Sequence, residues 1–185
     1  MKKFNPALKG FMAVALFAMG FSCSSEPQEK IFSNDTYIKM GSPAEVVIPE
    51  GYTAIAANTF ENCDDMISVV IPSTVTSIGS KAFYSCDGIT EVIIPQGIAT
   101  IPDNCFYGCD GLTNVRIPSS VTTIEFNAFH GCESLMKIAI PSSVTTIGKD
   151  IFSNCEDGIQ ILVPACSPLF EDFKAEYGDW IVTAK

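Results

Sequence analysis

One histidine and one tryptophan occur in the chain of 185 residues, and Lys and Arg together number only 11 against 21 Asp and Glu. With so few bases, no candidate partner stands ready to orient a Cys/His or Ser/His/Asp engine, so the chain reads as non-enzymatic. A net charge of −10 with no basic stripe excludes nucleic acid as a partner, because duplex binding draws its affinity from cations that neutralise phosphates. Long apolar runs are missing too. The run from Phe11 to Met19 is about half the roughly 20 residues that a spanning helix needs, and none as long follows. What remains fits one modest globular domain that is 47% hydrophobic.

Residues 1–22 carry Lys2, Lys3 and Lys9, then the apolar run, then small residues, and no acid, which reads as a secretory signal peptide. Its removal leaves 21 acidic against 8 basic groups, a formal charge of −13. Cys23 follows directly. The segment GFSCSSEPQ resembles the cleavage region of bacterial lipoprotein precursors, in which such a Cys receives lipid. Ser22 fits that pattern, whereas Gly20 and Phe21 depart from it; ordinary cleavage at the same bond would instead leave a secreted protein with a free thiol. Lipidation at Cys23 is the favoured reading, with residues 23–36 as the lipidated Cys and a polar, flexible tether.

Self-similarity decides the fold. Ile48, Ile71, Ile94, Ile117, Ile140 and Val163 recur with a period of 23, and Pro follows each of them. Phe60, Phe83, Phe106, Phe129 and Phe152 keep the same step, as do Cys63, Cys86, Cys109, Cys132 and Cys155. Five copies span 46–160 without an insertion, between an N-terminal cap at 37–45 and a C-terminal cap at 161–185. A segment of one period cannot bury its own apolar face, so the copies must stack into a solenoid and share one core. Within a copy, Val115 and Ile117 alternate inward while Asn114 and Arg116 point outward, and Pro118 ends that strand. Val121 and Ile124 form a second extended piece, and Ala128, Phe129 and Cys132 have helix-like spacing.

The pattern V-x-I-P-x-x-V-T-x-I-x-x-x-A-F-x-x-C-x-x-L resembles the leucine-rich repeats of the BspA type, found in bacterial surface and secreted proteins. The resemblance implies an α/β repeat solenoid with a short parallel sheet on one face and helical turns on the other. It further implies an exposed binding or adhesion role, an outer-membrane or cell-surface location, and no catalytic residues to carry over. The segment from Val163 to Ile181 is similar to the helical C-terminal caps of such arrays, although Cys166 and Pro168 are not typical of them.

Several residues could carry chemistry. Equivalent Cys residues in stacked coils have parallel Cβ vectors about 4.8 Å apart, so the column reads as buried free thiols rather than disulfides. Cys105, Cys109 and His130 lack the paired spacings of a zinc site, and no metal or cofactor is expected. Asp64, Asp87, Asp110, Glu133 and Glu156 form an acidic column that could take a divalent cation between coils or simply turn into water, and the second reading is taken. The outward sheet positions carry the binding expectation. Val47, Val70 and Ile93 form an apolar strip beside Glu91, Asn114, Arg116 and Lys137, a pattern suited to a protein or glycan partner. Strand propensity alone would also place Val and Ile there. A structural or assembly subunit of an envelope complex is the alternative to a partner-binding or adhesive protein.

Overall fold

The computed structural model describes residues 29–155 and 159–184. The signal segment, Cys23, the tether up to residue 28 and Glu156 lie outside them. Strand β1 (Ile31–Phe32), helix α1 (Asn34–Lys39) and the strand pairs β2 (Glu45–Val47) with β3 (Ala54–Ile55) and β4 (Ser68–Val70) with β5 (Ser77–Ile78) open the array. The pairs β6 (Glu91–Ile93) with β7 (Thr100–Ile101), β8 (Asn114–Arg116) with β9 (Thr123–Ile124), and β10 (Lys137–Ala139) with β11 (Thr146–Ile147) continue it. Strand β12 (Gln160–Pro164), helix α2 (Phe170–Tyr177), a 3₁₀ turn at Gly178–Trp180 and strand β13 (Ile181–Ala184) close it.

Where strands of successive windings pair, they pair in parallel and in a register equal to the sequence period: Glu45 opposite Ser68, Glu91 opposite Asn114, Thr100 opposite Thr123. The fold is therefore the expected leucine-rich-repeat solenoid with short parallel sheets. Regularity in sequence has become regularity in space. Phe60, Phe83, Phe106, Phe129 and Phe152 form one fully buried stack with centroids 5.1–5.8 Å apart and planes within 17° of parallel. Tyr37 abuts Phe60 edge-on at one end and Tyr177 abuts Phe152 edge-on at the other. Each such pair adds roughly 0.5–1.5 kcal/mol beyond the area it buries.

The helix-like spacing of Ala128, Phe129 and Cys132 takes the form of tight i to i+3 turns rather than α-helix: Ala128 N–H donates to Glu125 O, His130 N–H to Asn127 O and Cys132 N–H to Phe129 O. Two positions in each winding hold positive φ. One set is Asn58, Lys81, Asn104, Asn127 and Asp150; the other is Asn62, Ser85, Gly108, Gly131 and Asn154. Asn, Asp and Gly dominate both sets because they enter the left-handed region at least cost. This conformation turns alternate N–H groups toward the following winding. Asn58, Phe60 and Asn62 donate to the carbonyls of Ser80, Ala82 and Tyr84, and the equivalent three bonds recur at every later joint up to Asn127, Phe129 and Gly131.

The folded array begins earlier than expected. Residues 31–36, read from sequence as tether, are a strand paired with β3 and the start of α1, with Phe32 fully buried. Phe32 stands one period before Ile55, and Tyr37 one period before Phe60, so this segment is a degenerate further half-winding. At the other end, α2 buries Phe173 and β13 pairs in parallel with β12. Among the described residues, no helix is long and apolar enough to cross a membrane.

Candidate functional site

The face formed by β2, β4, β6, β8, β10 and β12 follows from strand alternation. Val46, Val69, Val92, Val115, Ile138 and Ile161 point into the core, which turns their neighbours outward. Val47, Val70 and Ile93 are 58%, 56% and 55% exposed, values that place three large aliphatic side chains in solvent side by side. Ile67, which the alternation argument had not singled out, is 49% exposed and extends the patch. Its signal lay in the neighbouring column, Ala44, Ile67, Thr90, Thr113 and Met136, whose apolar members sit where polar ones would suffice.

The polar half of the face is a network. Asn114 Nδ2 donates to Glu91 Oε1 at 2.8 Å, and Arg116 Nε lies 3.4 Å from the same oxygen. Arg116 is in register with Ile93, so the apolar strip ends against this ion pair. The pair is exposed and contributes about 0–1 kcal/mol, which orders the side chains rather than holding the fold. Lys137 pairs in register with Gln160. Lys137 and Ala139 form one wall of an open groove of about 370 Å³ whose other wall carries Thr113, Asn114 and Arg116. A second groove of about 400 Å³ runs between β4 and β6, bordered by Ile67, Ser68, Val70, Glu91 and Ile93. The expected residues are thus gathered on one face, but in two zones: Val47, Val70 and Ile93 in the apolar one, and Glu91, Asn114, Arg116 and Lys137 in the polar one.

The other chemistry-bearing residues are used by the fold. Cys86, Cys109, Cys132 and Cys155 donate their Sγ–H to the carbonyls of Phe60, Phe83, Phe106 and Phe129 in the preceding winding, at 2.9–3.2 Å. Burial pushes the Cys109 thiol up to about 12 and the Cys155 thiol up to about 11, and raises Cys86, Cys105 and Cys132 as well. None of these is a thiolate at neutral pH, so none is a nucleophile or a ready metal ligand. His130 stacks on Tyr107 at 4.6 Å, Tyr107 on Tyr84 at 4.9 Å, and Asn154 Nδ2 lies 3.0 Å from His130 Nε2. Burial, and then the neighbouring carboxylates, raise Asp87 and Asp110 above the ordinary carboxylate range. Among the described residues no group of three or more His, Cys, Asp or Glu could hold a metal ion. Cys166 is exposed and free, outside every column.

A parallel solenoid with an aromatic spine and a featured sheet face defines a repeat protein of the leucine-rich class. The BspA type leucine rich repeat region matches residues 29–158 in six copies, and the chain belongs to that family. The match begins at residue 29, so it takes in the half-winding at Phe32 and Tyr37. Among solved structures, the chain is similar to a leucine rich cell surface protein of Faecalibacterium prausnitzii, at 34% identity and a TM-score of 0.50, over 63% of this chain and 38% of that one. It is similar to a leucine-rich repeat protein of Bacteroides ovatus at 26% identity and a TM-score of 0.56, over 76% and 42% of the respective chains. A leucine rich repeat protein of T. pallidum matches at 29% identity and a TM-score of 0.64, over 68% and 61%. The chain thus spans about two-fifths to three-fifths of the length of these relatives. No curated protein matches it.

Proposed function

We propose that the protein is a non-catalytic, exported bacterial repeat protein that binds a protein partner through the sheet face. The observation that carries this reading is the contiguous exposed strip of Val47, Ile67, Val70 and Ile93, adjoining the Glu91–Asn114–Arg116 network. An apolar centre with a polar margin is the composition of an interface, and solenoids present such sheets to their ligands. The cell-surface description of the Faecalibacterium relative supports an envelope location. A glycan is the second ligand class for the polar zone, where Asn114, Arg116 and Lys137 offer donors.

The test is capture by chemical cross-linking from envelope and host-cell-surface extracts, comparing the wild type with a Val70→Lys, Ile93→Lys double variant. Loss of a specific protein band, with the thermal midpoint moved by no more than about 2 °C, supports the reading. A partner retained by the variant refutes the site. The alternative, a structural subunit, would show as a stable homo-oligomer in solution that the same double variant dissociates. Anchoring at Cys23 is read separately, by metabolic labelling with a fatty acid in the wild type and in Cys23→Ser; equal labelling of both removes the anchor from the account.

A further inference from the structure

The joint between the winding of β4 and β5 and the winding of β6 and β7 differs from those on either side. Strands β4 and β6 carry no ladder, and neither do β5 and β7; it is the one joint between described windings at which both are missing. Three sequence differences explain the loss between β5 and β7; the β4–β6 loss alone does not mark the joint, since β8 and β10 also lack a ladder while β9 and β11 keep theirs. Gly79, Glu125 and Gly148 donate their backbone N–H to Ile55, Ile101 and Ile124 at 2.7–2.9 Å, but the equivalent residue in the third winding is Pro102, which has no N–H to offer Ile78. Thr74, Ser120 and Ser143 donate their hydroxyls to the carbonyls of Tyr52, Ile98 and Val121, whereas the equivalent residue is Gly97, held at φ +107°. Thr76, Thr122 and Thr145 bond the preceding winding through both hydroxyl and backbone N–H. Ala99 stands in their place without a hydroxyl, and no backbone bond joins it to Thr53's successor in the column, Thr76.

The turn side of the same joint is intact. Lys81, Phe83 and Ser85 donate to the carbonyls of Asp103, Cys105 and Tyr107, Cys109 Sγ–H to Phe83 O, and the Phe83 and Phe106 rings stack at 5.2 Å. We propose that this joint is a hinge: the turn-side ladder is its axis, and the sheet side opens and closes across the groove between β4 and β6. Residues 97, 99 and 102 encode it by withholding, within one winding, the three connections that clamp the neighbouring joints. The hinge does not depend on which partner the face binds.

Amide hydrogen exchange followed by NMR tests it in the wild type. The Ala99 and Thr100 amides are expected to exchange about tenfold or more faster than those of Thr76, Thr122, Thr123 and Thr145, with Lys81, Phe83 and Ser85 protected. Equal protection at the three joints overturns the proposal. A second measurement uses spin labels on unnatural amino acids at positions 39 and 174, at opposite ends of the array. The triple variant Gly97→Ser, Ala99→Thr, Pro102→Gly should narrow the distance distribution and slow exchange at positions 99 and 100. A folded triple variant with unchanged width and exchange likewise overturns it, and if that variant does not fold the wild-type comparison decides.

Discussion

At the scale of single residues, the Cys column shows how a thiol serves a repeat. Cys is small enough for the space beside the stacked Phe rings, and its weak donor meets a backbone carbonyl of the preceding winding. Replacing Cys109 by Ala removes both volume and donor and should cost about 1–2 kcal/mol in urea unfolding, whereas Cys109→Ser keeps the donor and should cost less. Equal losses would mean that packing alone matters. Asp87 behaves oppositely. Its folded-state pKa is raised, by partial burial first and then by Asp110 and Asp64, so the native state holds that proton more tightly than the unfolded chain. The sign follows: its contribution to stability is greatest below the unfolded value of about 3.9 and declines as pH rises through the folded one. Asp87→Asn should therefore raise the melting temperature at pH 7 by about 1–2 °C in low salt and leave it unchanged at pH 3. An equal gain at both pH values would contradict the electrostatic cause.

At the scale of elements, the strands and their facing were legible because period 23 fixes the columns and period 2 fixes inside from outside; Val115 and Asn114 lie where alternation puts them. The turn arc was less legible. Helical spacing of Ala128, Phe129 and Cys132 is shared by a true helix and by consecutive i to i+3 turns, and the deciding signal was the recurrence of Asn and Gly at positions 58, 62, 104, 108, 127 and 131. The half-winding at Phe32 escaped notice for a different reason: Phe replaces Ile there and Tyr replaces Phe, so residue identity changed while slot and burial did not. Close approach between windings also leaves little room at Gly79, Gly88, Gly111 and Gly148. A Cβ on Gly79 would lie 2.4 Å from Ala57 N, a backbone atom that cannot move aside alone. Gly79→Ala should cost about 2–4 kcal/mol by denaturant unfolding, and a loss under about 0.5 kcal/mol would show that the windings slide freely past one another.

For the whole molecule, stability is a sum of windings and the joints between them. Deleting one complete period, 114–136, should leave a folded, shorter array with a lower melting temperature, whereas deleting only the first half of that period, 114–125, should abolish cooperative unfolding. Circular dichroism melts of the two deletions distinguish them, and comparable melts would refute additivity by winding. The binding face was readable at this scale only in part: columns predict which side chains are outward, as with Val70 and Ile93, but not that the Glu91 carboxylate gathers Asn114 and Arg116 into one network. That depends on side-chain reach across windings, which spacing does not encode.

The backbone bonds of the turn arc, from Asn58, Phe60 and Asn62 to Asn127, Phe129 and Gly131, all run one way, from N–H in one winding to C=O in the next. Along that arc the peptide dipoles therefore add instead of cancelling, as they do in a helix. One extremity of the arc is left acceptor-rich and the other donor-rich. The molecule has a head and a tail, and any lengthening by further copies must proceed tail to head.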